Sequence, residues 1–301
     1  MELRQLQYFL AVASELNFTR AASQMHVVQS GLSASVAKLE KELGVELFDR
    51  SKPKIKLTPA GELFRESARH AVRAMELTKD SVRQYRGQLS GTVEIGGLLS
   101  FSGMNAFEVL GEFHRTYPFV QIKMRQGRSS SSTDAEAVAN GSLDLALLIM
   151  PSRVPATVET RLLGREPMLF LCQTNHPLAQ RDSVKITDLL HEELISSPPR
   201  FAMRQLIDDA YVEAGATAPI KHEMVIDAAD RAALVRHGLG TTFMPAGGTK
   251  KFPDLRALPV TPPIERTIYL AWARGERLGP ATAELAERFI AGSPQSGPPD
   301  V

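Results

Sequence analysis

Four basic side chains fall on alternate positions of one short stretch. They are Arg50, Lys52, Lys54 and Lys56, within Phe48-Asp49-Arg50-Ser51-Lys52-Pro53-Lys54-Ile55-Lys56-Leu57-Thr58. A repeat of two places all four on one face of an extended segment, and Pro53 supplies a turn. A hairpin with a cationic face suits phosphate oxygens, giving a salt-dependent grip that reads no sequence. Alone, it could equally be a solvated hairpin. Its position directly after a pair of short helices decides for a wing. Upstream, Gln29, Ser30, Ser33 and Ala34 stand outward at the head of a helix, with Ser35 and Lys38 near its edge. Gln can pair with N6 and N7 of adenine, and Ser can bond base edges or phosphates. Catalytic chemistry has no comparable signature. The seven histidines are scattered, and no H-E-x-x-H, paired-cysteine zinc motif or G-x-S-x-G elbow occurs. Gly238-Leu239-Gly240 lacks the third glycine of a dinucleotide fingerprint. Asp144 reads as a turn residue, so binding is expected, with no enzyme activity, metal or cofactor.

The elements that must position these residues are set by periodicity. Leu3, Leu6, Leu10, Ala13 and Leu16 recur every three or four residues, as on one helix face. Thr19 is the expected cap of a short second helix, Arg20 to Met25, and Thr19 and Arg20 join the candidate DNA contacts. His26-Val27-Val28 makes a tight corner. A third helix spans Gln29 to Leu43, with Leu32, Val36, Leu39 and Leu43 inward and Gly44 just past its end. Two short helices joined by a corner form a helix-turn-helix, whose second helix enters the major groove.

Past Thr58, the positions Phe64, Ala71, Thr78 and Tyr85 are spaced by seven, and so are Ala68, Met75, Val82 and Leu89. This a/d pattern predicts one long helix with a narrow apolar seam. Phe64, Ala68, Ala71, Met75, Val82, Tyr85 and Leu89 are the expected dimer contacts, covered by a partner helix rather than by their own domain. Gly91 ends the element.

Charge is divided along the chain. Residues 1–90 carry 14 Lys+Arg against 10 Asp+Glu, and the remaining 211 carry 21 against 24. A basic head on a mildly acidic body fits a nucleic-acid module joined to a separate domain. Cys172 is the one cysteine and lies in an apolar run. It excludes an internal disulfide and argues against a two-cysteine redox switch. The first residues, Met-Glu-Leu-Arg-Gln-Leu, form no apolar signal region, and no stretch reaches membrane-spanning length. A cytoplasmic protein without membrane contact is expected.

From Gly91 the pattern alternates strand and helix. Val93–Ile95, Val120–Met124 and Leu143–Met150 read as strands, with helices at Ala106–Tyr117 and Asp134–Asn140 between them. A second set occupies the rest of the chain. Strands are expected at Met168–Cys172, Glu193–Ile195, His222–Val225, Thr241–Met244 and Thr267–Ala273. Helices are expected near Ile186–Leu190, Met203–Ala214, Ala228–His237 and Ala281–Ile290. Such alternation predicts a parallel sheet with helices on both faces, in two lobes with a cleft. Ligands in such folds bind beyond the carboxyl ends of strands, where helix amides point. The segments Leu99-Ser100-Phe101-Ser102-Gly103 and Gly127-Arg128-Ser129-Ser130-Ser131-Ser132-Thr133 offer hydroxyls and backbone donors there, suited to a carboxylate. Taken singly, each serine also reads as a cap.

The blocks Leu6-Gln7-Tyr8-Phe9, Asn17-Phe18-Thr19-Arg20-Ala21-Ala22, Gln29-Ser30-Gly31-Leu32-Ser33, Leu39-Glu40-Lys41-Glu42-Leu43-Gly44, Leu47-Phe48-Asp49-Arg50 and Leu57-Thr58-Pro59-Ala60-Gly61 closely resemble the LysR-type transcriptional regulators in order and spacing. The resemblance implies an α/β chain with an N-terminal all-α winged helix-turn-helix at 1–58 and a dimerisation helix at 59–90. It implies a two-lobed effector domain at 91–293, similar to a periplasmic-binding-protein fold. Lobe I is expected at 91–161 and 267–293, lobe II at 162–266, and a disordered tail at 294–301. Implied partners are double-stranded promoter DNA, a small-molecule effector, and further copies of the chain as a homodimer or homotetramer. The rival reading is a solute-binding or sensor protein without regulatory DNA binding. Implied effector positions are Ser100, Ser102, Ser131 and Phe201, and Gly103 of the first segment joins them as a candidate. Ser130 and Ser132 are alternatives to Ser131, Thr241 or Thr242 is a further candidate, and Arg200 and Arg204 are candidate counter-ions. Many family members carry bulky polar or basic residues where this chain has Ala34 and Ser35. That shifts the expected grip toward Gln29, Ser30, Ser33 and the wing cations.

Overall fold

Leu6, Phe9, Val12 and Ala13 form the buried stripe of the first helix, α1 (Leu3–Glu15). Leu16 is not part of it. It closes the helix in a left-handed conformation (φ 46°) and is 46% exposed. The structure is a computed structural model. It describes residues 1–51, 54–85, 88–97, 100–101, 103–125, 131–149, 154–275 and 277–294. The chain divides into two compact units, one built on Met1–Gln88 and one on most of the chain from Leu89 onward.

In the first unit α2 spans Phe18–Gln24 and α3 spans Gln29–Leu43. The α2 cap is Asn17, whose side chain accepts from the Arg20 N–H at 3.0 Å. Thr19, the expected cap, already lies inside the helix. Both residue types can cap, but only Asn17 precedes the first helical turn. Next in the chain is a short hairpin of β1 (Phe48–Asp49) and β2 (Lys56–Leu57), with Phe48 opposite Leu57. Phe9 gathers the core. Its ring centroid lies 5.3 Å from Phe48 and 5.0 Å from Phe64, and Phe18 packs on Phe48.

The long helix α4 (Pro59–Tyr85) corrects the expected seam. Phe64 and Ala68 pack on the winged-helix core, and Val72 continues the same row. A repeat of four follows the natural turn of a straight helix, so this part of the seam faces its own domain. Ala71 and Met75 remain exposed. Leu89 lies beyond the helix and packs with Val93 and Ile95 in the second unit.

The second unit is organised by one mixed sheet. Its strands in chain order are β3 (Gly91–Gly97), β6 (Val120–Arg125), β7 (Leu145–Ile149), β8 (Val158–Gln173), β10 (Leu194–Ser196), β11 (Ile220–Glu223), β12 (Thr241–Pro245) and β13 (Leu255–Ala273). Across the sheet the order is β11-β10-β12-β8-β13-β7-β3-β6. A hairpin of β4 (Ser100–Phe101) and β5 (Met104–Asn105) stands apart, and β9 (Val184–Lys185) pairs with β13. Helices α5 (Ala106–Thr116), α6 (Ser131–Ala139), α7 (Ala202–Glu213), α8 (Ala228–Arg236), α9 (Ala246–Thr249) and α10 (Pro280–Ala291) complete the unit. The segment at Ile186–Leu189 is a 3₁₀ turn rather than an α-helix.

Parallel pairing holds on the two flanks, β6-β3-β7 and β11-β10-β12. The centre differs from the expected all-parallel sheet. There β8 and β13 pair antiparallel, from Leu255 opposite Gln173 to Ala273 opposite Val158. The two expected short strands, 168–172 and 267–273, are only parts of these ribbons. The expected lobe boundaries at 161/162 and 266/267 therefore fall inside continuous strands. Ser293, just before the expected tail, is buried, and its hydroxyl donates to the Ile290 carbonyl. Of the tail itself, Pro294 lies close to Gly103 and Gly164, and 295–301 lie outside the described residues.

Candidate functional site

The head of α3 presents an open surface. Leu32, Val36 and Leu39 turn inward and are fully buried, which leaves Gln29, Ser30, Ala34 and Lys38 exposed and Ser33 half-buried. The residue before the helix, Val28, is 73% exposed and offers no side-chain cap. The Gly31 N–H donates to the Val28 carbonyl, while the N–H groups of Gln29 and Ser30 keep hydrogen-bonding capacity at the positive end of the helix, which favours a phosphate. Lys38 stands 3.9 Å from Glu2 with both side chains exposed, an interaction too weak to hold it. Thr19 is exposed on α2. Arg20 is also exposed, but its Nε donates to Glu15 at 2.8 Å.

The wing alternates as its sequence predicts. Lys54 and Lys56 are exposed, whereas Ile55 and Leu57 pack on the core. Lys52 lies outside the described residues. Arg50 differs from the lysines. Its guanidinium bonds Glu40 at 2.7 Å and lies 4.9 Å from the Phe18 ring centroid. The other Glu40 oxygen accepts from the N–H groups of Leu47 and Phe48 at 2.9 and 3.1 Å. Glu40 thus ties α3 to the wing's first strand, and Arg50 closes that tie.

Ser131 opens α6, and its hydroxyl accepts from the Ile149 N–H at 3.2 Å, at the carboxyl end of β7. Gly103 sits in the β4–β5 turn, where an added Cβ would meet Pro294 at 2.6 Å. Its missing side chain is explained by packing. Ser100 belongs to β4. Ser102 and Ser130 lie outside the described residues, as do the side chains of Ser100, Val82 and Tyr85. Asp144 is buried, and its carboxylate accepts from the Glu94 N–H at 2.7 Å, a structural strand-to-strand tie.

Phe201 precedes α7 without making a side-chain cap, and exposed Arg200 lies 5.2 Å over its ring. Arg204 bonds Asp208 at 2.9 Å and Glu223 at 3.3 Å, so it is already neutralised and is a poor counter-ion. Thr241 is misplaced for the expected role. It begins β12 opposite Leu194, at the amino end of the strand pair, whereas Ser196 stands at the carboxyl end of β10. Thr242 donates its hydroxyl to the Ile195 carbonyl at 2.7 Å and is likewise structural. Parallel pairing sets both outcomes, because ligands in such sheets bind beyond the carboxyl ends of the strands. Arg231 on α8 is a residue that the periodicity passed over. Its Nη2 donates to Ser197 Oγ at 3.0 Å. The one sequence signal was a cation in the first turns of a helix, where the dipole disfavours it.

Cys172 is fully buried, and burial pushes its thiol up to about 11, with Glu192 adding to the effect. Among the described residues no helix is long and apolar enough to cross a membrane.

Residues 3–62 match the family model described as bacterial regulatory helix-turn-helix protein, lysR family, and residues 86–293 match the LysR substrate binding domain. The transcriptional dual regulator GltC of Bacillus subtilis (strain 168) is 33% identical over 96% of this chain and 97% of its own. The DNA-binding transcriptional dual regulator OxyR of Escherichia coli (strain K12) is 30% identical over 97% of this chain and 95% of its own. Full-length CbnR complexed with its target DNA shares the fold, with a TM-score of 0.68 at 23% identity over 97% of this chain and 100% of that one. These relatives are transcriptional regulators, and this chain belongs to the LysR family of bacterial transcriptional regulators.

Proposed function

We propose that the chain binds double-stranded promoter DNA through the exposed head of α3 and the wing lysines. In this reading it acts as a dimer or a dimer of dimers, and a small carboxylate or aromatic metabolite in the effector unit controls it. One observation carries the DNA part. Gln29, Ser30 and Ala34 stand exposed on a helix whose other face is fully buried, in the same domain as exposed Lys54 and Lys56. Ala71 and Met75, exposed on α4, remain candidates for a seam between copies, together with Val82 and Tyr85. Ser131, whose hydroxyl meets the carboxyl end of β7, suits the effector. Catalysis has no part in this reading, and the site of action is the cytoplasm.

One E. coli relative, at 30% identity, is named hydrogen peroxide-inducible genes activator. A peroxide response of that kind is not carried over. The thiolate is the reactive form of cysteine, and the one cysteine here is buried and held protonated. The effector is therefore expected to bind without covalent chemistry.

The test is anisotropy titration of a labelled palindromic promoter fragment at several salt concentrations. Two wing lysines per subunit give about four phosphate contacts per dimer, and a log–log slope near −3.6. Affinity should then fall about 10²-fold between 50 and 200 mM salt. Salt-independent binding, or none, would overturn the reading.

A further inference from the structure

Two arginines of the second lobe converge on Ser197, and only one is neutralised. Arg204 donates Nη1 to the Ser197 carbonyl at 3.2 Å while its charge is met by Asp208 and Glu223. Arg231 donates Nη2 to the Ser197 hydroxyl, and its Nε is buried without an acceptor. Among the described residues no carboxylate lies within ion-pair distance of Arg231. Asp227 and Asp230 are its sequence neighbours, but both are exposed, and Asp227 is spent on accepting the Asp230 N–H at 2.8 Å.

An unpaired arginine cannot escape its position by losing a proton, as a lysine can. Burial pushes the Arg231 guanidinium down, with no opposing charge to restore it. The helix adds to the cost, because Arg231 sits near the amino end of α8, whose dipole is positive there. A half-buried cation with an empty donor calls for an anion. Its surroundings favour the same ligand. Ser197 follows the carboxyl end of β10, beside the carboxyl end of β11, and α7 starts at the same edge with no side chain capping its first N–H groups.

We propose that Arg231 and Ser197 form the anion-anchoring half-site of the effector cleft, and that a carboxylate of the effector docks on the Arg231 guanidinium. The planar fork matches a carboxylate in two parallel hydrogen bonds. This inference rests on the reading of the second unit as an effector domain. It adds a specificity rule: the effector is an anion, and an uncharged analogue of equal shape is rejected.

Acetate is the probe, and thermal unfolding of the full-length chain is the readout. Sodium acetate at about 0.1 M should raise Tm by roughly 2–4 °C over sodium chloride of equal ionic strength, saturably. Acetamide, the neutral twin, should give no rise. Arg231→Gln should abolish the acetate effect, and in chloride it should unfold no lower than wild type, since it removes an uncompensated charge. Arg231→Lys retains a point charge without the fork and should lose at least half of the response. It carries the test if the glutamine variant does not fold. An acetate response that survives in the variants overturns the proposal. So does a wild type indifferent to acetate, or one equally stabilised by acetamide. Promoter binding by wild type, measured alongside, separates the two readings. Its loss overturns the regulator reading, whereas intact DNA binding with no acetate effect overturns only the Arg231 anchor.

Discussion

Arg266 on β13 faces Glu166 on β8 as a buried ion pair, with its Nε–H donating to Oε2 at 2.7 Å. The other Glu166 oxygen accepts from the Gly247 N–H at 2.7 Å, so one carboxylate fastens both central ribbons to α9. Removing one partner leaves an uncompensated charge in a dry place. Glu166→Leu should therefore destabilise the effector unit by about 3–5 kcal/mol. Adding Arg266→Met should recover most of that loss, because a buried pair is costly to break but not costly to replace. Urea unfolding midpoints of the single and double variants decide the matter. A double variant no more stable than the single would contradict it.

The wing contains two kinds of cation. Lys54→Ala and Lys56→Ala should each weaken DNA binding evenly across sequences and shorten the salt slope by about 1 per contact removed. Neither should change the melting temperature. Arg50→Ala should lower it, because Arg50 closes the Glu40 tie and covers the Phe18 ring. Equal melting temperatures for all three variants would refute the distinction.

Gly61, in the first turn of α4, lies against the chain at Leu47. A Cβ there would sit 2.1 Å from the Leu47 carbonyl oxygen. The obstacle is backbone and cannot swing away. Gly61→Ala should cost about 1–3 kcal/mol by forcing α4 off the hairpin. Calorimetry of the purified variant against wild type reads this directly, and an unchanged unfolding temperature would rule it out.

Cys172 gives a pH signature with a definite sign. Its folded value, about 11, lies above the ordinary 9.0. Below pH 9 both states hold the proton and the thiol is neutral in its effect. From pH 9 upward the unfolded chain releases it while the folded chain does not, so stability falls until about pH 11. The full effect is about 2–3 kcal/mol. Cys172→Ala should flatten this part of the pH–stability curve, though its own cavity lowers the curve as a whole. Iodoacetamide at pH 8 should label unfolded but not native protein.

The helix-turn-helix was legible because its signals are local. The third helix runs over the expected residues, Gln29 to Leu43, since a buried row at 32, 36 and 39 and a terminal glycine are both written in adjacent sequence, although Leu43, expected inward, is exposed in the last turn. The wing followed from a repeat of two. Features that depend on distant partners were not legible. The central ribbons are longer than their apolar cores, because Glu166 and Arg266 look like solvent residues until each finds the other. The α4 seam is ambiguous in sequence, because heptad spacing and four-residue spacing share Phe64 and Ala68. Arg231 gained meaning only when folding placed Ser197 against it and, among the described residues, kept every carboxylate beyond ion-pair distance.

The β8–β13 ribbon also constrains how a signal can travel. Its ladder passes from one flank of the sheet to the other, interrupted only by a register shift between Pro259 and Ile264 and a smaller one between Ile268 and Tyr269. Two flanks joined this way are less like a jaw on a loose pin than like plates welded to a common torsion bar. A displacement of one flank would reach the other as added or relaxed twist, with intact ladder bonds on either side of the irregularities. In such twisting the displacement grows with distance from the bar, so the outer strands, β6 and β11, would swing furthest.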